Sequence, residues 1–187
     1  MTSTLALASL ALLLVGCATP TSQGRAALSG GRYDEAVRHF EEALTERPGR
    51  AADLVGLGIA RYKLGDLDQA QRALAEATAQ EPSVPTPHLY LALIGIRQGD
   101  DIAADEHLGL YLQLGAPPRL AAQLDRTRTA LRGPVTPAMR EYMATSLEDG
   151  YQWAGEVAGA LRAARDAELR VLAAERVYLL PRACRCR

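Results

Sequence analysis

The chain has 187 residues, a formal net charge of −1 and 48% hydrophobic residues, with one Phe and one Trp. This length suits one ordinary domain, or a short repeat array with an appendage, and a core made mainly of Ala, Leu and Val. The near-zero net charge argues against a nucleic-acid partner, and the apolar content argues against a disordered chain. The sequence contains no run of about 20 apolar residues that would span a bilayer.

The first residues have the pattern of a secretion signal. Leu5–Gly16 is uncharged and apolar, too short for a transmembrane helix and within the roughly 7–15 residues of a signal-peptide hydrophobic region. The segment Leu14-Val15-Gly16-Cys17 resembles the lipobox of bacterial lipoproteins. The resemblance implies that residues 1–16 are cleaved off and that Cys17, carrying acyl chains, attaches the protein to a membrane. The alternative is an ordinary buried helix that happens to end at a cysteine.

Two neighbouring features bear on this resemblance. Residues 1–4 contain no Lys or Arg, which departs from the family pattern. Ala18 stands where lipoproteins retained at the inner membrane often carry Asp. The sequence therefore favours the periplasmic face of the outer membrane as the location.

The middle of the chain repeats with a period of 34 residues. A shift of 34 positions aligns three sets of similar residues: Gly31, Gly65 and Gly99; Ala36, Ala70 and Ala104; Phe40, Leu74 and Leu108. We expect the glycines in turns between helices, the alanines where paired helices approach closely, and the larger residues beside them on the same face. Pro48 and Pro82 share the period, and we expect them to end the second helix of their units.

This period and residue pattern resemble the tetratricopeptide repeat (TPR), most clearly from Gly31 to Pro48. The resemblance implies an all-α fold, a TPR-type α-solenoid of three helical hairpins at about 20–50, 51–84 and 85–118. A capping helix at 119–132 completes an array that spans residues 17–132.

TPR arrays bind proteins through the first helix of each unit, so the resemblance also implies a concave binding groove. The residues of this sequence at the corresponding positions are Arg25, Leu28, Val55, Ile59, Tyr62, Lys63, Leu89, Leu93, Ile96 and Arg97. An apolar floor with cationic ends suits an extended peptide or an amphipathic helix, with Tyr62 as an aromatic anchor. The alternative for each aliphatic member from Val55 onward is a place in the core between helices.

Residues 133–187 form a separate segment after the linker Gly133-Pro134. Thr136 and Pro137 are typical of a helix start, and Gly150 is expected to end that helix. Residues 152–179 then carry apolar side chains every three or four positions. We favour a C-terminal helix folded back on the array, with self-association through 152–179 as the alternative.

The remaining residues indicate no enzyme, cofactor or metal site. Cys184 and Cys186 near the C-terminus favour a disulfide over metal binding in an oxidising compartment. The three histidines are spread along the sequence, and His39 and His107 share one repeat position, which we expect to be exposed. No nucleophile elbow, His-Glu-x-x-His motif or phosphate loop in a strand–helix context is present.

The sequence thus favours a lipid-anchored envelope scaffold that binds a partner protein or peptide. Assembly of a pilus, a secretion system or outer-membrane proteins is the expected setting. A regulator that docks on a cell-wall-synthesising enzyme is one alternative. A hydrolase that uses the C-terminal segment is another, from a different class of protein.

Overall fold

The structure is a computed structural model that describes residues 19–179. Within the last helix, the side chains at 153, 154, 156–158, 160, 161, 164 and 171–179 lie outside this description. All regular secondary structure in the described range is α-helical. The chain divides into two compact units, one ending at Ala116 and the other beginning at Pro117, and each is described separately.

The first unit consists of three successive helical hairpins. Their helices, in pairs, are α1 (Pro20–Ser29) with α2 (Tyr33–Glu46), α3 (Ala51–Leu64) with α4 (Leu67–Gln80), and α5 (Pro85–Gln98) with α6 (Asp101–Gln113). The contacts are most extensive within each hairpin, and α3 also packs on α2 and α5 on α4. This arrangement confirms the predicted all-α solenoid of three hairpins.

The turn glycines and the helix-ending prolines of the repeat lie where the sequence predicts them. Gly31, Gly65 and Gly99 have positive φ angles of 71°, 85° and 82° in the turns within the three hairpins. Glycine adopts this conformation without the steric cost that a side chain imposes. α2 and α4 end two residues before Pro48 and Pro82, respectively, as expected for residues that cannot continue a helix.

The hairpins are held together by bulky side chains packed against small ones. The two aligned sets, Ala36, Ala70 and Ala104 with Phe40, Leu74 and Leu108, are all 0% exposed. A Cβ atom added to Gly24 would lie 2.9 Å from the Phe40 ring, and one added to Gly56 would collide with the same ring. The Phe40 ring on α2 therefore needs a glycine on both α1 and α3.

The second hairpin repeats this contact with an aliphatic residue. A Cβ atom on Gly58 of α3 would lie 2.5 Å from Cγ of Leu74 on α4. Gly24 and Gly58 are one repeat apart, and so are Phe40 and Leu74. Close approach of the two helices thus recurs at the same repeat position in the first two hairpins.

The second unit contains α7 (Pro118–Leu131) and α8 (Pro137–Leu179). α7 corresponds within one residue to the helix predicted at 119–132, and its apolar side, Leu120, Leu124 and Leu131, is buried. Its role as a cap of the array stays a prediction. The Thr136 hydroxyl accepts a hydrogen bond from the Met139 N–H at 3.3 Å, which confirms Thr136 as the N-cap of α8.

The predicted end of this helix at Gly150 is wrong, because α8 continues through Gly150 to Leu179. A Cβ atom at position 150 would lie 2.9 Å from Oε1 of Gln123 and 3.2 Å from Cδ1 of Leu120, both on α7. Gly150 therefore permits close approach of α7 to α8 and does not terminate a helix. Self-association through 152–179, and docking of this segment, stay predictions.

Over residues 19–179, no helix combines the length and the apolar character needed to cross a bilayer.

We expect Gly56→Ala to lower the free energy of unfolding by about 1–3 kcal/mol, because the added methyl group collides with the Phe40 ring. Urea denaturation followed by circular dichroism measures this change. In a Phe40→Leu background the same substitution should cost less, because a smaller side chain leaves room for the methyl group.

Gly155→Ala is the matched control for this substitution. Gly155 lies within α8, and an added Cβ atom would meet nothing within 4 Å. The control should be neutral or should stabilise the protein by about 0.5–1 kcal/mol, the helix-propensity gain of Ala over Gly. An equal cost of Gly56→Ala in the parent protein and in the Phe40→Leu background would contradict the packing described here.

Candidate functional site: the first helices of the array

The residues predicted to line the groove fall into two groups by exposure. Those on the first two hairpins are mostly accessible: Arg25 is exposed, and Leu28, Val55, Ile59 and Lys63 are partly exposed. These five residues lie on α1 and α3, and we call them the open face. Arg97 on α5 is also partly exposed.

The other four predicted groove residues are buried, so their assignment to an accessible groove is wrong. Tyr62 is 1% exposed, and Leu89, Leu93 and Ile96 are 0% exposed. Every residue from Pro87 to Ile96 on α5 is buried. A helix with apolar side chains on every face is buried on every face. The accessible part of the predicted groove is therefore carried mainly by the first two hairpins.

Tyr62 was predicted to anchor a bound partner, but its ring packs between helices instead. Its ring meets the Tyr90 ring edge-to-face, with centroids 5.2 Å apart and planes at 77°. The guanidinium carbon of Arg97 lies 4.6 Å from the Tyr62 ring centroid, within the range of a cation–π contact. Tyr62 thus joins α3 to α5, and Arg97 is engaged in the same contact.

A pocket of about 250 Å³ adjoins the open face. It is lined mainly by small or aliphatic residues, with one charge of each sign: Arg25, Ala51, Ala52, Val55, Ala77, Glu81, Val84 and Thr86. Within the described residues Arg25 has no hydrogen-bond or ion-pair partner. An apolar recess with an unpaired guanidinium at its rim suits a ligand that carries an apolar side chain and a carboxylate.

One polar contact at the start of α3 was not predicted from the sequence. Asp53, in the first turn of α3, is 0% exposed, and its Oδ2 lies 3.6 Å from Nη1 of Arg50. The same Arg50 nitrogen donates a hydrogen bond to the Thr21 hydroxyl of α1 at 3.3 Å. Arg50 therefore ties the start of α3 to α1. In the sequence, Arg50 stands directly before the second predicted repeat unit. Only the fold shows that Thr21 lies beside it.

The sites predicted near the two ends of the chain lie outside the part that the structure describes. Cys17, Cys184 and Cys186 lie outside the described residues, so the lipid attachment and the disulfide stay predictions. Among the side chains that the structure describes, no three or more His, Cys, Asp or Glu residues converge as a metal cluster.

Comparison with known proteins identifies the repeat. Residues 27–94 match the family model described as tetratricopeptide repeat. Among curated proteins, the "Protein CTR9 homolog" of Arabidopsis thaliana is 33% identical over 73 residues. That match covers 38% of this chain and 7% of the plant protein, so this chain corresponds to a small part of its length.

Two solved structures are similar in fold. The type III secretion translocator chaperone SycD of Yersinia enterocolitica aligns with a TM-score of 0.57 and 19% identity, over 60% of this chain and 81% of that chain. A mutant O-GlcNAc transferase of Thermobaculum terrenum aligns with a TM-score of 0.55 and 19% identity, over 71% of this chain and 25% of that chain. Together with the three hairpins, these likenesses show that the first unit has a TPR-type α-solenoid fold, in which residues 27–94 match the repeat model.

We expect Tyr62→Ala to lower the free energy of unfolding by about 3–5 kcal/mol, the usual cost of removing a large buried ring. Val55→Ala, at a partly exposed position seven residues earlier on the same helix, should cost about 1 kcal/mol. Denaturant unfolding of the two variants measures the difference. A Tyr62→Ala cost no larger than that of Val55→Ala would show that Tyr62 belongs to the accessible surface.

Proposed function

We propose that this protein is a lipid-anchored scaffold of the bacterial cell envelope that binds a partner protein or peptide through the open face of its TPR array. Its setting is the assembly of an envelope complex, such as a pilus, a secretion system or outer-membrane proteins. In this proposal the protein binds its partner without catalysing a reaction on it.

The observation that carries the binding role is the chemistry of the open face and of the adjoining pocket. Leu28, Val55 and Ile59 offer partly exposed apolar surface, and Arg25 adds an exposed cation without a partner in the described part of the chain. Side chains of this kind bind amphipathic helices or extended peptides that bear apolar anchors. The preferred guest therefore places an aliphatic or aromatic side chain in the pocket and a carboxylate against Arg25.

The fold comparison supports a role in assembly. A similar arrangement of helices occurs in SycD, a translocator chaperone of type III secretion in Yersinia enterocolitica. At 19% identity this likeness concerns the fold, and the transfer of an assembly role to this chain belongs to the proposal.

The membrane attachment rests on the lipobox-like segment that ends at Cys17. α1 begins at Pro20, so only two residues separate Cys17 from the first helix of the array. Acyl chains on Cys17 would hold the first hairpin close to the lipid headgroups, because several chains anchor a protein stably where one does so only marginally. The proposed location is the periplasmic face of the envelope, with the outer membrane favoured.

Binding through the open face is tested by photo-crosslinking in intact cells that express the protein. A photo-reactive amino acid at Ile59 should give a discrete adduct with a partner protein, which mass spectrometry identifies. Arg25→Glu should weaken that adduct severalfold, because it places a carboxylate where the guest's own carboxylate binds.

Two controls make this experiment specific. Arg38→Glu makes the same charge change at an exposed position of α2 and should leave the adduct unchanged. The photo-reactive group at Gln71, an exposed position of α4, should give no such adduct. Equal adducts from positions 59 and 71, or equal effects of the two charge reversals, would refute the open face as the binding surface.

The anchor is tested independently by Cys17→Ser. We expect this variant to leave the membrane fraction and to keep its signal segment, because acylation precedes cleavage in the lipoproteins that the segment resembles. Membrane fractionation, metabolic labelling with a fatty acid and intact-mass measurement report the result. A membrane-bound Cys17→Ser variant, together with an unacylated parent protein, would rule out the lipid anchor while leaving the binding proposal intact.

A further inference from the structure

Two histidines that are distant in sequence face each other inside the third hairpin. Nδ1 of His88, on α5, lies 3.2 Å from Nδ1 of His107, on α6, and the ring centroids are 5.4 Å apart. His88 is 7% exposed, whereas His107 is partly exposed, so His107 is the more accessible of the two. His88 and His107 are 19 residues apart in the sequence, yet the fold brings their rings together.

The other ring nitrogen of His88 is directed at a backbone acceptor. Nε2 of His88 lies 3.4 Å from the carbonyl oxygen of Pro82, which can only accept a hydrogen bond. A hydrogen bond to this carbonyl requires the His88 proton on Nε2, and in that tautomer the lone pair of Nδ1 faces His107. A ring N–H donated to a backbone carbonyl is the usual support of a metal-binding histidine, because it fixes the tautomer and the ring orientation.

The repeat indicates that apolar residues can fill the positions of these two histidines. One repeat earlier, Leu54 and Ala73 occupy the positions of His88 and His107, and both are buried at 4% and 6% exposure. Leu54 and Ala73 also line one pocket, so the two positions are close in the second hairpin as well. The third hairpin thus replaces an apolar pair with two imidazoles.

From this geometry we infer that His88 and His107 bind a divalent transition-metal ion of the class that prefers imidazole, with Zn²⁺ as the representative, through their two Nδ1 atoms. Two nitrogens bound at 2.0–2.1 Å to a tetrahedral ion are about 3.3 Å apart. The observed separation of 3.2 Å is close to this value. Among the side chains that the structure describes, no third His, Cys, Asp or Glu joins the pair, so water would complete the coordination.

Burial lowers the pKa of His107 below its ordinary value, and the neighbouring His88 lowers it further, while Glu106 acts in the opposite direction. The inference concerns the third hairpin alone and does not depend on the proposed partner or membrane anchor.

The test uses the full chain in detergent, with its three cysteines replaced by serine so that thiolates do not bind the metal. Zn²⁺ is titrated in competition with a zinc-sensitive dye. We expect one equivalent of Zn²⁺ per chain, and a rise in the melting temperature with Zn²⁺ that follows from binding to the folded state.

The decisive variant combines His88→Leu with His107→Ala, which reproduces the residue pair of the second hairpin and is expected to fold. It should lose the bound equivalent and the zinc-dependent stabilisation, and His107→Ala alone should weaken binding about tenfold or more. His39→Ala is the matched control, because His39 holds the repeat position of His107 but contacts only Glu35 and Glu42.

The outcomes separate a metal site from a hydrogen-bonded histidine pair. If the cysteine-free parent binds no Zn²⁺, the two rings are joined by a hydrogen bond and the inference fails, whatever the variants do. It also fails if the double variant, folded by circular dichroism, binds Zn²⁺ as the parent does. Loss of Zn²⁺ binding in the double variant, with retention in His39→Ala, supports the site.

Discussion

The packing of the first two hairpins depends on contacts between one bulky apolar side chain and the glycines that face it. The Phe40 ring lies so near to Gly24 and Gly56 that any side chain at either position would overlap it. This single ring therefore sets the spacing of α1, α2 and α3, and Leu74 against Gly58 repeats the contact one hairpin later. Because interiors are close-packed, such contacts fix the helix positions, and through them the surface that stays accessible.

The three hairpins share a backbone plan but differ in the surface that they leave open. α1 and α3 each combine buried residues with partly exposed ones, whereas α5 is buried from Pro87 to Ile96. Tyr62, Tyr90 and Arg97 form a continuous contact between α3 and α5. The third hairpin therefore offers little accessible surface along α5, whereas α1 and α3 carry the proposed binding surface. The third hairpin also contains the pair of His88 and His107.

Much of the fold was accessible from sequence, because period, turn glycines and terminating prolines are local signals. The binding surface was less accessible, since a repeat position such as that of Tyr62 is exposed or buried according to its neighbours in space. The meeting of His88 and His107 likewise depends on the hairpin geometry, which their positions in the sequence do not reveal. Gly150 was misjudged because a glycine that ends a helix and one that admits a neighbouring helix look identical in sequence.

The most direct test of this account compares the chemical accessibility of two positions that the repeat treats as equivalent. Ile59→Cys and Leu93→Cys are made singly in a background in which the three native cysteines are serine, and maleimide labelling is timed under native conditions. Ile59 is partly exposed and Leu93 is 0% exposed. We expect rapid labelling at position 59. At position 93 we expect slow labelling, limited by the rate at which the protein opens locally. Equal, rapid labelling at both positions would show that the third hairpin is open and would contradict the division of the array described here.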